Sequence, residues 1–293
     1  MKISVITACY NSVATIRTAM ESVWAQRGAD VEYIVVDGGS TDGTVDILKE
    51  YSTRSTRSTR PNLSFRWLSE PDHGMYDAIN KGIKMATGDI IGILNADDVL
   101  ASDDTLAHIA ELFSHKEQEG QARGEEIDGH VDCVYADIRF VKEGETVEAL
   151  REAPTVRYCS AAKWKPWMFR FAAMVPHPSF YVRRACFERL GGYSLDYRIC
   201  ADFELELRYL YLAQLKAAYL PECVVVMRMG GMSTAGWRAN VEINREDLRA
   251  LRAHGIWSCL SLIYLKYLFK IWGFVLGRQR HISPATPSRG VYA

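Results

Sequence analysis

The fold is decided by the stretch from residue 3 to residue 37, which reads ISVITACYNSVATIRTAMESVWAQRGADVEYIVVD. Its first six and last six residues are runs rich in Ile and Val that lead into polar residues, which is typical of buried parallel strands. Between them, Ile16, Met20 and Val23 recur at the spacing of an amphipathic helix. The stretch therefore predicts a β-α-β unit.

The same alternation continues as far as residue 100. The apolar periods predict a helix at 40–51, a strand at 64–68, a helix at 75–87 and a strand at 90–94. Residues 52–60 repeat the triplet Ser-Thr-Arg three times, and because they contain no apolar residue we expect a solvated loop. The pattern predicts an α/β fold with a Rossmann-like, mostly parallel central sheet flanked by helices. In such sheets, ligands bind at the carboxyl ends of the strands.

Beyond residue 100 the alternation weakens, and the pattern predicts an α+β half. Its elements are a helix at 102–115, a charged linker at 116–129, strands at 133–141, 177–182 and 223–229, and a helix at 201–213. We therefore divide the chain into two halves of one domain, 1–100 and 101–254, and a tail at 255–293.

The composition excludes several classes of protein. With 293 residues, 48% hydrophobic and 24% charged, the chain has enough apolar surface for a packed core, so it is neither disordered nor fibrous. A net charge of −1 argues against a nucleic-acid binder. The seven cysteines form no Cys-x-x-Cys pair, and the N-terminus does not have the pattern of a signal peptide. We expect a protein of the reducing cytoplasm.

The tail carries a long apolar run and a basic excess. Residues 257–277 are mostly apolar, and from residue 257 onward there are five Lys and Arg residues and no acid. Lys266 and Lys270 make spanning a bilayer costly, so we expect an amphipathic helix that contacts a membrane surface through residues 257–281. Packing on the protein's own body, or on a second copy in a homodimer, is the alternative.

Carboxylates follow two of the predicted strands. Asp37 precedes Gly-Gly-Ser-Thr-Asp, and it can either bind a nucleoside or shape a turn and helix cap. Asp97 and Asp98 end the fourth strand and would repel each other unless a divalent cation lay between them. Two solvated loop acids are the alternative. The Gly-rich fingerprints of dinucleotide and P-loop sites are missing, as is the His-Glu-x-x-His zinc motif.

Four motifs in order carry a resemblance to a known family. They are Thr7-Ala-Cys-Tyr10-Asn11, Val36-Asp37-Gly-Gly-Ser-Thr-Asp-Gly43, Glu70-Pro-Asp-His-Gly-Met-Tyr-Asp-Ala-Ile-Asn-Lys-Gly82 and Asn95-Ala-Asp-Asp98. Together they resemble the family 2 glycosyltransferases, which are inverting sugar-nucleotide transferases with the GT-A fold. The resemblance resumes at His177-Pro-Ser-Phe180, Gly191-Gly-Tyr193 and Ala201-Asp-Phe-Glu-Leu205.

The resemblance implies a role for each half and for named residues. Residues 1–100 would bind the nucleotide sugar, and 101–254 would form the acceptor side of the same catalytic domain. The implied donor-binding residues are Thr7, Tyr10, Asn11, Asp37, Asp72, Asp77, Asn80, Lys81, Asn95, Ala96 and Asp97. Asp97 and Asp98 would hold a divalent metal, Mg²⁺ or Mn²⁺. His177 and Glu204 would lie on the acceptor side, although His177 could also contact the donor or be a structural histidine with its hydrogen bonds satisfied. Tyr76 and Ile79 are expected in the core.

Two positions depart from the family pattern. Asn95 stands where many members have the first Asp of the metal motif, so the site loses one charge. The family's Glu-Asp catalytic pair reads Ala201-Asp202, which leaves Asp202 as the single candidate general base. Taken without the family context, Asp202 is more simply a helix cap.

The sequence thus predicts an inverting hexosyltransferase of surface polysaccharide assembly. It would move a sugar from a nucleoside-diphosphate sugar to a glycan or lipid-linked acceptor at the cytoplasmic face of the inner membrane. The expected donor is a UDP-sugar. A sugar-nucleotide pyrophosphorylase is an alternative, but its Gly-rich N-terminal loop is missing at residues 7–17. A catalytically silent, membrane-associated nucleotide-binding module is the other alternative, and Asn95 and Ala201 motivate it.

Overall fold

The computed structural model describes residues 1–57, 60–122, 130–142, 144–230 and 237–267. Within them the strands belong to one sheet. They are β1 (Lys2–Cys9), β2 (Asp30–Asp37), β3 (Leu63–Ser69), β4 (Ile90–Ile93), β5 (Val99–Leu100), β6 (Cys133–Val141), β7 (Arg157–Cys159), β8 (Tyr181–Arg183) and β9 (Ala217–Arg228).

The helices of the described residues flank this sheet. They are α1 (Ile16–Trp24), α2 (Thr44–Arg57), α3 (Met75–Met85), α4 (Thr105–Ala122), α5 (Val147–Glu152), α6 (Arg184–Leu190), α7 (Ala201–Glu206), α8 (Trp237–Ala253) and α9 (Leu260–Tyr264). Two 3₁₀ segments, Pro166–Phe171 and His177–Ser179, precede β8, and a π-helical turn at Leu207–Leu212 continues α7.

The strand order is β3-β2-β1-β4-β8-β6-β9-β5, with β7 paired to β6. The first four strands of the chain run parallel, as the alternation predicts. β8 is inserted antiparallel between β4 and β6, so the complete sheet is mixed. Gly92 permits this insertion, because a Cβ at that position would lie only 2.1 Å from the Tyr181 ring.

The core lies on both faces of the sheet. Ile6 and Ile34 point to one face, where they join the cluster that contains α3 and α7. Val5 and Tyr33, the preceding residues on the same strands, point to the other face, against α1 and α2. Because both faces are covered, the parallel strands are apolar along their whole length rather than alternating.

The Ser-Thr-Arg repeat is not wholly the solvated loop that its composition predicts. Helix α2 continues to Arg57, so the first two triplets are helical. Arg54 explains the extension, because its guanidinium pairs with Glu21 at 2.7 Å and lies over the rings of Trp24 and Tyr51. Residues 58–59 lie outside the described residues.

Two other predicted boundaries are wrong. Helix α4 runs to Ala122, so the first seven residues of the predicted linker 116–129 are helical. The predicted strand at 177–182 is instead a 3₁₀ turn followed by β8. Pro178 lacks an N–H for the sheet, and the Ser179 hydroxyl bonds Pro176 O at 2.7 Å and Ala136 O at 2.8 Å, which holds the turn.

The described part of the tail differs from the predicted surface helix. Helix α9 packs its Ile263 into the core, and Lys266 is buried with its Nζ 2.5 Å from Asp247 Oδ2. The predicted placement of Lys266 at lipid headgroups is therefore wrong, because Lys266 is paired inside the protein. Lys270 and the rest of residues 268–293 lie outside the described residues. None of the helices that the structure describes is both long enough and apolar enough to cross a bilayer.

Candidate active site

The carboxyl ends of β1, β2 and β4 meet at one edge of the sheet. Cys9 pairs with Asp37 across β1 and β2, and Ile6 pairs with Ile93 across β1 and β4. The polar residues that follow these strands are therefore gathered at this edge, as expected for parallel neighbours. We call it the strand-end edge.

Asp37 is buried at the strand-end edge and shapes the turn after β2. Its Oδ2 accepts hydrogen bonds from Gly39 N at 3.1 Å, Ser40 N at 3.0 Å and Ser69 Oγ at 2.7 Å. The Ser40 hydroxyl donates to Oδ1. These bonds correspond to the turn-forming alternative, and contact with a donor stays a prediction.

The residues after β1 form the other side of this turn. Asn11 has a positive φ of 49°, donates its N–H to Ser40 Oγ at 2.7 Å and accepts at Oδ1 from Thr41 N at 3.0 Å. Tyr10 beside it leaves 64% of its surface exposed, so its ring is available to a flat ligand. Thr7 is fully buried, and its hydroxyl donates to Leu94 O at 2.8 Å beneath the edge.

Asp72 lies over the backbone of Gly38. A Cβ at Gly38 would lie 2.6 Å from Asp72 Oδ2, so only glycine leaves room for this carboxylate. Asp72 Oδ1 accepts a hydrogen bond from Gly74 N at 2.8 Å, just before α3 begins. Two carboxylates, Asp37 and Asp72, thus flank one glycine at the strand-end edge.

The first two turns of α3 carry a small ionic network. Lys81 Nζ lies 2.9 Å from Glu70 Oε1, 3.0 Å from Pro71 O and 3.7 Å from Asp77 Oδ2. The Glu70 carboxylate raises the pKa of Lys81 above its ordinary value. The backbone N–H of His73 is the main cause that lowers the pKa of Asp77. Asp77 and Lys81, two of the predicted donor-site residues, are therefore both charged and lie near the strand-end edge.

Asn80 joins the two halves of the molecule. Its Nδ2 donates to Tyr193 O at 2.8 Å, and its Oδ1 accepts from Tyr193 N at 2.9 Å. A Cβ at Gly192 would lie 2.3 Å from this oxygen, which accounts for the glycine. The structure therefore gives the Asn80 amide a bridging role that differs from the predicted donor contact.

Replacing Asn80 by alanine is expected to lower the free energy of unfolding by about 1–3 kcal/mol, because the Tyr193 backbone loses two buried partners. Nucleotide affinity is expected to change little. Urea unfolding and nucleotide titration of the same variant measure both quantities. A large loss of affinity with unchanged stability would instead support the donor contact.

The paired acids after β4 are held differently from one another. Asp98 is buried, with Oδ2 accepting from Asn95 Nδ2 at 2.8 Å and Oδ1 from Arg228 N at 3.3 Å. Burial, followed by the charge of Asp97, raises the pKa of Asp98 well above its usual range. Both Asp98 oxygens thus accept hydrogen bonds from within the chain, and contact of Asp98 with a metal stays a prediction.

Asp97 remains the carboxylate that faces the strand-end edge. It is half-buried, and its carbonyl oxygen accepts from Arg228 Nη1 at 2.8 Å. Ala96 beside it is half-buried as well. Arg228 lies 131 residues further along the chain, and no local pattern identifies it.

The fit of a divalent metal can be judged from these ligands. In the part of the chain that the structure describes, no group of three or more His, Cys, Asp or Glu side chains is arranged to hold a metal. Mg²⁺ is commonly bound by one or two carboxylates together with substrate phosphates. Asp97 fits such a shared metal, whereas a site built from protein ligands alone does not fit.

Asp202 lies at the start of α7 and faces α3. Its Oδ1 is 3.2 Å from the Tyr76 hydroxyl, which also lies 2.5 Å from Ile199 O. Oδ1 also accepts the Phe203 N–H at 2.9 Å, so Oδ2 is the oxygen left to accept a further proton. Tyr76 belongs to the core, as expected, but its hydroxyl reaches the candidate base.

Asp202 lies in the first turn of α7, where its Oδ1 accepts the Phe203 N–H at 2.9 Å. This local bond agrees with the helix-capping alternative, and the role of Asp202 as a base stays a prediction. Glu246 on α8 holds the backbone just before the helix, accepting at its two oxygens from Arg198 N at 3.2 Å, Ile199 N at 2.9 Å and Cys200 N at 3.0 Å. Glu246 also fixes the backbone that carries Asp202, and sequence reasoning missed it.

Aromatic rings form the surroundings of Asp202. Tyr76 and Tyr193 stack with ring centroids 5.5 Å apart, and Tyr193 OH lies 2.7 Å from His177 Nε2. Burial lowers the pKa of His177, although the charge of Asp202 acts in the opposite direction. A neutral imidazole at pH 7 follows, beside the candidate base. His177 is thus brought to the predicted side of the site.

Glu204 lies away from Asp202. It is buried and accepts from Arg208 Nε at 3.0 Å and His254 Nε2 at 2.9 Å. Arg208 also donates to Gly192 O at 2.7 Å. Residues two apart on a helix point to different faces, so Glu204 does not share the face of Asp202. Glu204 instead supports, through Arg208, the loop that carries Tyr193. Its carboxylate is engaged there, which differs from the expected acceptor contact.

Glu206 is a further acid that the sequence analysis missed. It lies one helical turn after Asp202, is fully buried, and accepts from Val175 N at 3.1 Å through Oε2. Its Oε1 has no hydrogen-bond partner among the described residues. Burial, and then the charge of Asp202, raises the pKa of Glu206 well above its usual range. A glutamate in an apolar helix, four residues after an aspartate, is the signal that could have found it.

Comparisons with known proteins agree with this architecture. The model of the family described as "Glycosyl transferase family 2" matches residues 4–165. A "PGL/p-HBAD biosynthesis glycosyltransferase" of Mycobacterium bovis is 29% identical over 251 residues, covering 85% of this chain and 83% of its own. An uncharacterised glycosyltransferase of Mycobacterium tuberculosis is 32% identical over 209 residues, covering 70% and 68%.

Solved structures share the fold. TarS of S. aureus, residues 1–349 in complex with UDP-GlcNAc, has a TM-score of 0.58 at 18% identity, over 86% of this chain and 66% of that one. The chain spans 40% of another TarS structure. The mannosyltransferase PcManGT of Pyrobaculum calidifontis, in complex with GDP-Man and Mn²⁺, has a TM-score of 0.56 at 20% identity, over 97% and 76%. The predicted GT-A fold is confirmed.

Proposed function

Because the chain belongs to glycosyl transferase family 2 and is a glycosyltransferase, we propose that it moves a hexose from a nucleoside-diphosphate sugar to an acceptor hydroxyl, with inversion at the anomeric carbon. A UDP-sugar is the proposed donor. A glycan or lipid-linked saccharide of surface polysaccharide assembly is the proposed acceptor, at the cytoplasmic face of the inner membrane.

One observation carries the chemical part of the proposal. Among the three acids of α7, Glu204 is paired with Arg208 and His254, and Glu206 is fully buried, which raises its pKa well above its usual range. Asp202 is half-buried, and of the three acids it is the one whose carboxylate can accept a proton from a bound acceptor. An acceptor hydroxyl beside it would lose its proton to Asp202 as its oxygen attacks the anomeric carbon. A single displacement from the face opposite the nucleotide inverts that carbon.

The neighbours of Asp202 suit this role. The Tyr76 hydroxyl lies 3.2 Å from Asp202 Oδ1, and His177 joins this cluster through its bond to Tyr193, whose ring stacks on Tyr76. Burial raises the pKa of Tyr76 and lowers that of His177, so both are neutral near pH 7. Neutral hydrogen-bonding groups can orient a sugar hydroxyl without neutralising the carboxylate by a salt bridge. Asp202 therefore keeps its capacity as a base.

The strand-end edge is the proposed donor site. The exposed ring of Tyr10 would stack on the base, and Asp37 and Asp72 lie beside it for the nucleoside. Structures with the same fold were solved with UDP-GlcNAc and with GDP-Man, which supports a sugar nucleotide of one of these kinds. Asp77 and Lys81 would lie toward the diphosphate.

Asp97 is the proposed protein ligand of a divalent metal, Mg²⁺ or Mn²⁺, shared with the diphosphate. When bound, such an ion neutralises the charge that develops on the leaving group. The Asn95 amide donates a hydrogen bond to Asp98, which an aspartate at position 95 could not do when ionised. Asparagine at this position of the family pattern therefore has a structural role.

Calorimetric titration tests the donor proposal. UDP, GDP and dTDP are each titrated into the parent protein and into Asp97→Ala, with and without Mn²⁺. We expect one nucleotide to bind more tightly with the metal, and that gain to fall by tenfold or more in the variant. Asp104→Ala, an exposed acid at the start of α4, is the matched control. Binding of no nucleotide by the folded parent protein would refute the donor site.

A further inference from the structure

Two segments far apart in the chain contain no acidic residue. Residues 153–187 hold six Lys and Arg and no Asp or Glu, and the chain after Asp247 holds seven Lys and Arg and none. Elsewhere acids and bases are mixed, since the whole chain has 35 basic and 36 acidic residues. A positive potential is therefore expected wherever the two segments meet.

The fold brings these two segments together. The 3₁₀ segment Pro166–Phe171 packs against α9, and the Ser258 hydroxyl donates to Arg170 O at 2.7 Å. Phe169 and Ile263 are fully buried on the inner side of this contact. Residues 163–170 and 257–264 thus form one continuous region, which we call the aromatic–basic surface.

Large apolar side chains stand outward on the aromatic–basic surface. Trp257 is 71% exposed, Trp167 57%, Tyr264 46% and Leu260 40%. Two tryptophans exposed to this extent in one region are unusual for a soluble face, because indole is rarely left in water without a partner. The surface therefore has the apolar component of an interaction site.

Unpaired cations surround these side chains. Lys163, Lys165 and Arg170 are exposed, and none of them has an ion-pair partner among the residues that the structure describes. In a 3₁₀ helix residues three apart are eclipsed, so Trp167 and the Arg170 guanidinium stand on the same face. Aromatic rings and cations are thus interleaved.

We propose that the aromatic–basic surface docks on the headgroups of an anionic phospholipid bilayer. Tryptophan and tyrosine favour the membrane–water interface, where the ring is apolar and its polar edge stays hydrated. Each Lys or Arg near an anionic leaflet adds attraction. A second copy of the chain fits less well, because a twofold contact would place these cations opposite one another with no acid between them.

The position of the surface gives the docking a consequence. The 3₁₀ segment ends at Phe171, and six residues later His177 joins the ring cluster that reaches Asp202. Docking would hold the acceptor side of the molecule near the bilayer, which deepens the proposed use of a lipid-linked acceptor. The surface itself is tested by vesicle binding alone, so its failure and the failure of sugar transfer are separate results.

Co-sedimentation with vesicles tests the docking. The full chain is mixed with phosphatidylcholine vesicles and with vesicles that also contain phosphatidylglycerol. We expect binding to the anionic vesicles only. In the variant Lys163→Glu with Lys165→Glu, and in Trp167→Ser with Trp257→Ser, the binding constant should fall at least about tenfold. The control, Lys84→Glu with Lys142→Glu, changes two exposed lysines elsewhere and should bind like the parent.

Three outcomes would overturn the proposal. The first is that the parent does not bind anionic vesicles. The second is that the binding constant falls no further in the test variants than in the control, which would assign the docking to residues 268–293. The third is a concentration-dependent dimer, in sedimentation velocity, that the same substitutions dissolve. Circular dichroism of each variant shows whether it folds. If the tryptophan variant does not fold, the charge variant still tests the proposal, because it is changed only at exposed side chains.

Discussion

Replacing Asp202 by asparagine is expected to lower kcat of sugar transfer by about 10³-fold or more, with donor affinity nearly unchanged. The carboxylate is the proposed proton acceptor, and an amide of the same size keeps the shape of the site but cannot take the proton. Turnover of a nucleoside-diphosphate sugar panel by the parent and the variant, followed as nucleoside diphosphate released, measures the effect.

The control for this experiment is Asp196→Asn, an exposed acid in the loop before α7. It should transfer sugar at the parent's rate, since its side chain is exposed to solvent. Equal rates in the parent and in Asp202→Asn would remove Asp202 from the mechanism. Nucleotide binding without turnover in the parent would instead favour the catalytically silent module.

Replacing Lys266 by alanine is expected to lower the free energy of unfolding by about 3–5 kcal/mol near pH 8. The substitution leaves Asp247 buried without its cation, and Asp247 lies on α8 next to Glu246, which holds the backbone that leads into the helix of Asp202. Activity is expected to fall together with stability. Urea unfolding monitored by tryptophan fluorescence measures the change.

The deficit of this variant should shrink as the pH falls. Burial raises the pKa of Asp247 even with Lys266 opposite, and removal of Lys266 raises it further. A carboxyl group with a raised pKa in the folded state costs stability as the pH rises through that pKa, when it must ionise. Toward pH 5 the protonated Asp247 needs no cation, so parent and variant should converge.

The double variant Lys266→Met with Asp247→Asn is the matched control. It leaves no unpaired charge, so most of the lost stability should return. A deficit that is the same at pH 5 and pH 8, or that the second substitution does not relieve, would show that Lys266 contributes through packing and not through the ion pair.

Much of the fold could be predicted from local patterns. The strands at 3–8, 32–37 and 133–141 are confirmed to within two residues, because each is long, apolar and β-branched. The repeat at 52–60 was misjudged, since composition alone does not show that Arg54 can reach Glu21 and two aromatic rings.

The candidate site was predicted in its position more than in its roles. Asp37 and Asp97 were placed correctly at strand ends, because parallel strands bring such ends to one edge. Asn80, Asp98 and Glu204 were grouped with ligand-binding residues by resemblance. In the structure their polar atoms are engaged by other parts of the chain.

The sequence by itself determined the order of strands and helices, the edge where polar residues collect, and the family. These follow from short apolar runs, from the helical period of 3.6 residues and from short ordered motifs, all of which act over a few residues. Only the tertiary structure decided which acids carry charge. Arg228 lies 131 residues from Asp97, and Glu246 lies 46 residues from Cys200, whose N–H it accepts. Burial and neighbouring charges raise the pKa of Asp98 and of Glu206, because a carboxyl group responds to what surrounds it in space.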